Sequence, residues 1–157
     1  MRIGPLIERK AVDKVAELVD DATGRGARTL VGGTALDRPG TFYAPTVLAD
    51  VPPDARILEE EIFGPVLAVA TFATEEEAVA KANATEYGLA AYVYTRDLAR
   101  AHRLIDSIES GMMGINVGVI SNAAAPFGGI KQSGLGREGG AEGIHEYLET
   151  KYSLLPV

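Results

Sequence analysis

Between Val66 and Val117 the chain alternates strand-like and helix-like patterns, and this alternation restricts its fold more than any other feature. Val66 to Phe72 is β-prone and nearly all apolar, the pattern of a strand covered on both faces. Thr74 followed by Glu75, Glu76 and Glu77 forms a capping box, opening a helix whose buried stripe is Ala78, Val79 and Ala82. Gly88 closes a turn and Ala90 to Tyr94 is the next short strand. Asp97 or Thr95 caps a helix through about Glu109, with Leu98, Ala101, Ile105 and Ile108 on one face. Gly111 stops it, and Gly114 to Val117 gives a third strand. Two consecutive βαβ crossovers follow from that order, hence an α/β fold with a parallel sheet. Ligands gather beyond the carboxyl ends of such strands, and the loop after Val117 lies at one.

Upstream, Val12, Val15, Ala16, Val19 and Ala22 recur at helical spacing between Ala11 and Arg25, which predicts an amphipathic helix closed near Gly24 or Gly26. Thr29 to Val31 is a short strand ending at Gly32 and Gly33. Phe42 to Leu48 is another, placed at an edge or broken by Pro45. Near the end, Ala141 to Glu149 reads as a short helix and Tyr152 to Leu155 as a terminal strand that pairs inside the fold or on a neighbour.

The 157 residues fit one domain, and 46% hydrophobic against 24% charged residues is a globular balance. A net charge of -7 argues against nucleic-acid or anionic-membrane partners, which need clustered Lys and Arg. The apolar runs are too short to span a bilayer and the first ten residues lack the features of a signal peptide, so a cytoplasmic location is expected. There is no Cys, which removes disulfides, thiolate metal sites and cysteine nucleophiles from this chain. His102 and His145 have no second His or suitably spaced acid beside them, so no metal site is expected. The serines include no Gly-x-Ser-x-Gly elbow.

Two stretches carry functional chemistry. Glu59-Glu-Glu-Ile-Phe-Gly-Pro-Val66 puts three carboxylates before a rigid turn at the mouth of a strand. A carboxylate there can accept two hydrogen bonds from neighbouring hydroxyls, as on a ribose, though the same acids suit a solvated turn. The loop from Asn116 to Phe127, ending Pro126-Phe-Gly-Gly, suits a pocket wall for a small molecule or ordinary packing. Beyond it, Gly134-Leu-Gly-Arg-Glu-Gly139 has the letters of a dinucleotide fingerprint but lacks the strand before and the βαβ unit after, so its glycines are assigned to turns and close packing.

Glu-Glu-Ile-Phe-Gly-Pro-Val, with the later Gly-Ile-Asn-Val-Gly-Val-Ile-Ser-Asn-Ala-Ala-Ala-Pro-Phe-Gly-Gly-Ile-Lys-Gln-Ser-Gly-Leu-Gly-Arg-Glu-Gly, resembles the NAD(P)-dependent aldehyde dehydrogenase superfamily, most closely its succinate-semialdehyde dehydrogenase branch. The resemblance implies the last third of such an enzyme: residues 1–146 as the later part of the catalytic domain and 147–157 as the terminal oligomerisation strand of a homo-oligomer. It implies that Glu61 binds the nicotinamide-side ribose of NAD or NADP and that Phe63 packs near the nicotinamide. Phe127 then corresponds to the aromatic of the substrate tunnel, and Ser121 to a hydroxyl that contacts the distal carboxylate of a small aldehyde acid. In the family a cysteine thiolate attacks the aldehyde, hydride passes to the nicotinamide, and water activated by a glutamate releases the acid. None of these catalytic groups is assigned to a residue of this chain, so the chain alone is expected to be inactive. The rival expectation is a non-catalytic module that self-associates or binds a nucleotide.

Overall fold

The computed structural model describes residues 3–156, and the chain divides into two compact units, Met1–Ala73 and Thr74–Val157.

The first unit is organised on helix α1, Arg9–Gly24. Its apolar positions fall at helical spacing, and Val12, Val15, Leu18, Val19 and Ala22 are all buried. The helix ends in a Schellman motif: the Gly26 N–H donates to the Thr23 carbonyl (3.0 Å) and the Ala27 N–H to the Ala22 carbonyl (2.9 Å). Gly26 takes the left-handed φ of +111° that the motif demands. Three short strands follow: β1, Arg28–Val31; β2, Thr46–Ala49; and β3, Val66–Ala68. They form one sheet in the order β1-β2-β3, with β1 antiparallel and β3 parallel to β2. Pro45 does break the expected Phe42–Leu48 strand, and only the part beyond it joins the sheet. On β2, Thr46 and Leu48 are buried while Val47 and Ala49 are only half-buried. Leu48 joins the α1 side chains, Tyr43, Val51, Ala55 and Ile57 in one core. Each fully buried Leu or Val contributes about 1.5–3 kcal/mol.

The second unit starts with helix α2, Glu75–Asn83, where the Thr74 hydroxyl accepts from the Glu77 N–H (3.2 Å) as the capping box requires. Strands β4 (Tyr87–Gly88) and β5 (Ala90–Val93), helix α3 (Leu98–Ser107), and strands β6 (Met112–Ile115) and β7 (Ile130–Lys131) follow. The parallel pair β5-β6, bridged by α3, is a βαβ unit; β4 pairs antiparallel with β7. Asp97 rather than Thr95 caps α3, its carboxylate accepting from the Arg100 N–H (3.1 Å). A 3-10 turn at Glu142–Tyr147 stands where the final helix was expected.

Four expectations need correction. First, β3 is three residues long, its pairing extended by single bonds at its ends such as the Val69 N–H to the Leu48 carbonyl (2.9 Å) and the Val51 N–H to the Val69 carbonyl (3.2 Å), and Leu67 is 59% exposed rather than covered. Second, β3 takes β2 as its parallel partner, so only one of the two expected crossovers, β5-α3-β6, forms among the described residues. Third, α2 buries no residue fully: Ala78 and Val79 are half-buried and Ala82 is exposed. Finally, α3 buries Ala101 and Leu104, leaving Leu98 and Ile105 largely in solvent.

Candidate functional site

In the first unit the acidic stretch becomes a turn pinned from several directions. A 3-10 helix at Arg56–Leu58 precedes it, and Asp21 of α1 accepts the Arg56 N–H (3.0 Å) at its start. The Arg56 guanidinium donates to Glu60 (2.7 Å) and to Glu17 of α1 (2.6 Å). That ion pair, with its hydrogen bond to Arg56 first among the causes, holds the Glu60 carboxyl below the usual carboxylate range. Glu61 follows, exposed, its carboxylate without a hydrogen bond or ion pair to any described residue. Its backbone carbonyl is held, accepting from the Lys14 ammonium of α1 (2.6 Å).

Ile62 packs against the core, and the chain then reverses at Phe63, which takes φ +45°. This left-handed conformation costs a residue with a β-carbon on the order of 1–3 kcal/mol, which the surrounding structure has to offset. The ring is 78% exposed. Gly64 allows the reversal to sit against α1, since a side chain there would meet Val15 Cγ2 at 2.5 Å. From Pro65 the chain enters the sheet, the Pro65 carbonyl accepting from the Thr46 N–H (2.8 Å). The turn thus half-buries Ile62 against the core and presents the side chains on either side of it, Glu61 and Phe63, to solvent.

In the second unit the loop after β6 is clamped at its base. Asn116, at φ +56°, uses its side-chain amide twice: Oδ1 accepts from the Thr95 N–H (2.9 Å) and Nδ2 donates to the Thr95 carbonyl (2.8 Å). The Tyr94 hydroxyl donates to the Val117 carbonyl (2.9 Å). Ser121 is exposed near the middle of the loop, and the Asn122 side chain forms a local turn by accepting from the Ala124 N–H (2.9 Å). The far end is fixed by a backbone pair, Phe127 and Glu138 exchanging two bonds of 2.7 Å. Phe127, 39% exposed, lines a cleft of about 350 Å³ together with Gly129, Leu135, Arg137, Glu146 and Tyr147 among others. Ser121 is outside its walls, so the two residues expected to meet substrate share a loop but not this cleft.

The aldehyde dehydrogenase family profile matches residues 1–153. The chain belongs to the aldehyde dehydrogenase family. It is 60% identical over 151 residues to the succinate-semialdehyde dehydrogenase of Paenarthrobacter nicotinovorans, covering 96% of this chain and 34% of that enzyme. With a glutarate-semialdehyde dehydrogenase of Pseudomonas aeruginosa it shares 53% over 152 residues, 97% of this chain and 32% of the relative. Among solved structures, an E. coli NADP dependent enzyme superposes with a TM-score of 0.91 at 54% identity, over 94% of this chain and 31% of that one. A Staphylococcus aureus betaine aldehyde dehydrogenase in complex with NAD+ gives 0.89 at 41% identity, over 96% and 32%. The chain therefore spans about a third of the length of the curated relatives it matches.

Membership in this family of oxidoreductases directs attention to residues that sequence reasoning passed over. Arg137 sits in the glycine-rich stretch assigned to turns, and its guanidinium donates to the bare carbonyls of Gly129 (2.9 Å) and Gly136 (2.7 Å), holding the wall beyond Phe127 in place. A lone arginine among glycines was the available signal, because exposed glycine backbone needs donors. Lys14 gave no such signal, lying 47 residues from the carbonyl it holds.

Proposed function

We propose that this chain supplies cofactor contacts and substrate walls to an NAD(P)-dependent aldehyde dehydrogenase that oxidises succinic semialdehyde, or a similar small aldehyde acid, to the carboxylic acid. One observation carries the reading: in a family member, a turn fixed through its backbone presents the unpartnered carboxylate of Glu61 beside the exposed ring of Phe63. Such a pair suits a nicotinamide nucleotide. The carboxylate oxygens can accept from both hydroxyls of a ribose, and the ring offers an apolar face. When bound, the nucleotide provides a two-electron acceptor for hydride. Glu61 and Phe63 orient it; Phe127 shapes the path of the aldehyde; Ser121 donates to the distal carboxylate. The names of the similar enzymes, succinate- and glutarate-semialdehyde dehydrogenases, support a substrate with an acid group at its far end.

The attacking thiol has to come from outside this sequence, which contains no Cys. The purified chain is therefore expected to produce no NADH or NADPH from succinic semialdehyde; measurable production would refute the assignment. In an intact enzyme containing this segment, Ser121→Ala should weaken handling of succinic semialdehyde but leave a short uncharged aldehyde nearly unaffected. Equal losses on both substrates would remove Ser121 from the carboxylate role.

Residues 147–157 are proposed as the strand that joins copies into a homo-oligomer. Tyr152, Leu154 and Leu155 are 76–83% exposed and form no strand with any of the described residues, which supports a partner outside this chain. Light scattering before and after removal of this segment tests the proposal, and an unchanged molar mass would count against it. No helix among the described residues is long and apolar enough to cross a membrane.

A further inference from the structure

We infer that Lys14 is a positioning residue for the nucleotide contacts of Glu61 and Phe63, an inference that rests on the reading of those two residues proposed above. Two consecutive residues of α1 hold the turn on both sides of Phe63. Lys14 Nζ donates to the Glu61 carbonyl at 2.6 Å, and Val15 fills the space where a side chain on Gly64 would stand. Phe63 lies between these supports at φ +45°, a conformation its own preferences do not maintain.

The choice of acceptor is informative. Three carboxylates in a row lie within the stretch that Lys14 reaches, yet its ammonium takes a main-chain oxygen. Glu60 is paired with Arg56, and the Glu61 carboxylate is left open. The chain bearing Glu61 is thereby fixed while its acid keeps its hydrogen-bonding capacity for something else. A lysine paired with that carboxylate would have consumed the same capacity.

The test uses an intact aldehyde dehydrogenase in which this chain forms the matching segment. Lys14→Met should raise the KM for the coenzyme by about threefold to tenfold, the range for a charge-assisted hydrogen bond discounted for exposure. The KM for the aldehyde should not change, the enzyme should stay folded at the assay temperature, and Lys14→Arg, which keeps a donor, should restore most of the loss. Because Lys14 acts through the turn, its effect should shrink in a Glu61→Gln background. If Glu61→Gln raises the coenzyme KM but Lys14→Met does not, the inference fails and the assignment of Glu61 stands. Full multiplication of the two effects would make Lys14 an independent contact and also overturn it. A Glu61→Gln enzyme with unchanged coenzyme KM and hydride-transfer rate removes the assignment of Glu61, and the inference with it. Should Lys14→Met fail to fold, Lys14→Leu, which also lacks a donor, replaces it and the same outcomes apply.

Discussion

The two compact units are stabilised in different ways. Among the described residues, Met1–Ala73 has a side-chain core of eleven buried apolar residues, five of them from α1. In Thr74–Val157 the described residues include only two buried apolar side chains, Ala101 and Leu104, while large apolar groups such as Tyr94, Leu135 and Tyr147 are 69–100% exposed. Order in the second unit comes from backbone ladders, close approach of glycines and side chains that clamp main-chain groups. The Asn83 amide accepts from the Glu109 N–H and donates to the Ser107 carbonyl (both 2.8 Å), and Lys131 reaches the carbonyls of Asn83 (3.1 Å) and Thr85 (3.2 Å). A small site-bearing turn can therefore be held by a hydrophobic core in one place and by polar clamps in another, and the two should respond differently to substitution.

The sharpest way to break this comparison is Leu18→Ala, which empties a position with no exposure. It should cost the first unit about 2–5 kcal/mol. Leu104→Ala, at 8% exposure in a sparser setting, should cost less; equal losses by urea denaturation would mean that the second unit has the better core after all.

Gly111→Ala comes next. A Cβ there would strike the Gly128 carbonyl oxygen, a backbone atom that cannot rotate away, so a loss of about 1–3 kcal/mol is expected. Hydrogen exchange should show the loss centred on the Gly88–Gly111 bond. A variant with unchanged exchange would show that the close approach is not supporting the second unit.

A smaller effect is expected for Thr74→Ala, which removes the helix cap at the start of the second unit and should cost about 1 kcal/mol, measured by thermal unfolding. The smallest concerns pH. Glu75 receives hydrogen bonds from Arg103 first and then Arg100, which lower its carboxyl from an ordinary 4.5 to about 2. A depressed folded-state value means stabilisation that is full above the unfolded value and lost as pH falls toward 2. The urea midpoint of the second unit should fall between pH 5 and pH 2, and Glu75→Gln should remove that part of the pH dependence. No difference between the two proteins over that range would mean that the ion pairs contribute nothing.

What sequence reasoning resolved divides along similar lines. Helix α1 was readable because its core face repeats at Val12, Val15, Val19 and Ala22, and the cap at Thr74 because local chemistry alone specifies it. Strand partners were not readable. Val66 to Phe72 has the composition of a strand buried on both faces, but composition does not say that β2 would be its neighbour or that Leu67 would face solvent. The phase of α3 is not legible either, because Leu98 and Ile105 are as apolar as the Leu104 that is buried. At the candidate site, the letters Glu-Ile-Phe-Gly-Pro showed a turn bearing an acid. That Phe63 would be left-handed, with Lys14 and Val15 supporting it, depends on contacts 47 and 49 residues apart in sequence.

The loop carrying Ser121 has an anchor at each end: Asn116 bound to both main-chain groups of Thr95, and Gly128 lying where Gly111 has no room for a side chain. Between these anchors residues 117–126 are held at two further points, the Val117 carbonyl by the Tyr94 hydroxyl (2.9 Å) and the Ala123 carbonyl by the Gly140 N–H (3.3 Å). If Ser121 has the role proposed above, the aldehyde preference of an intact enzyme should shift when the free tip around it, residues 118–122, is exchanged while those four points of attachment are kept.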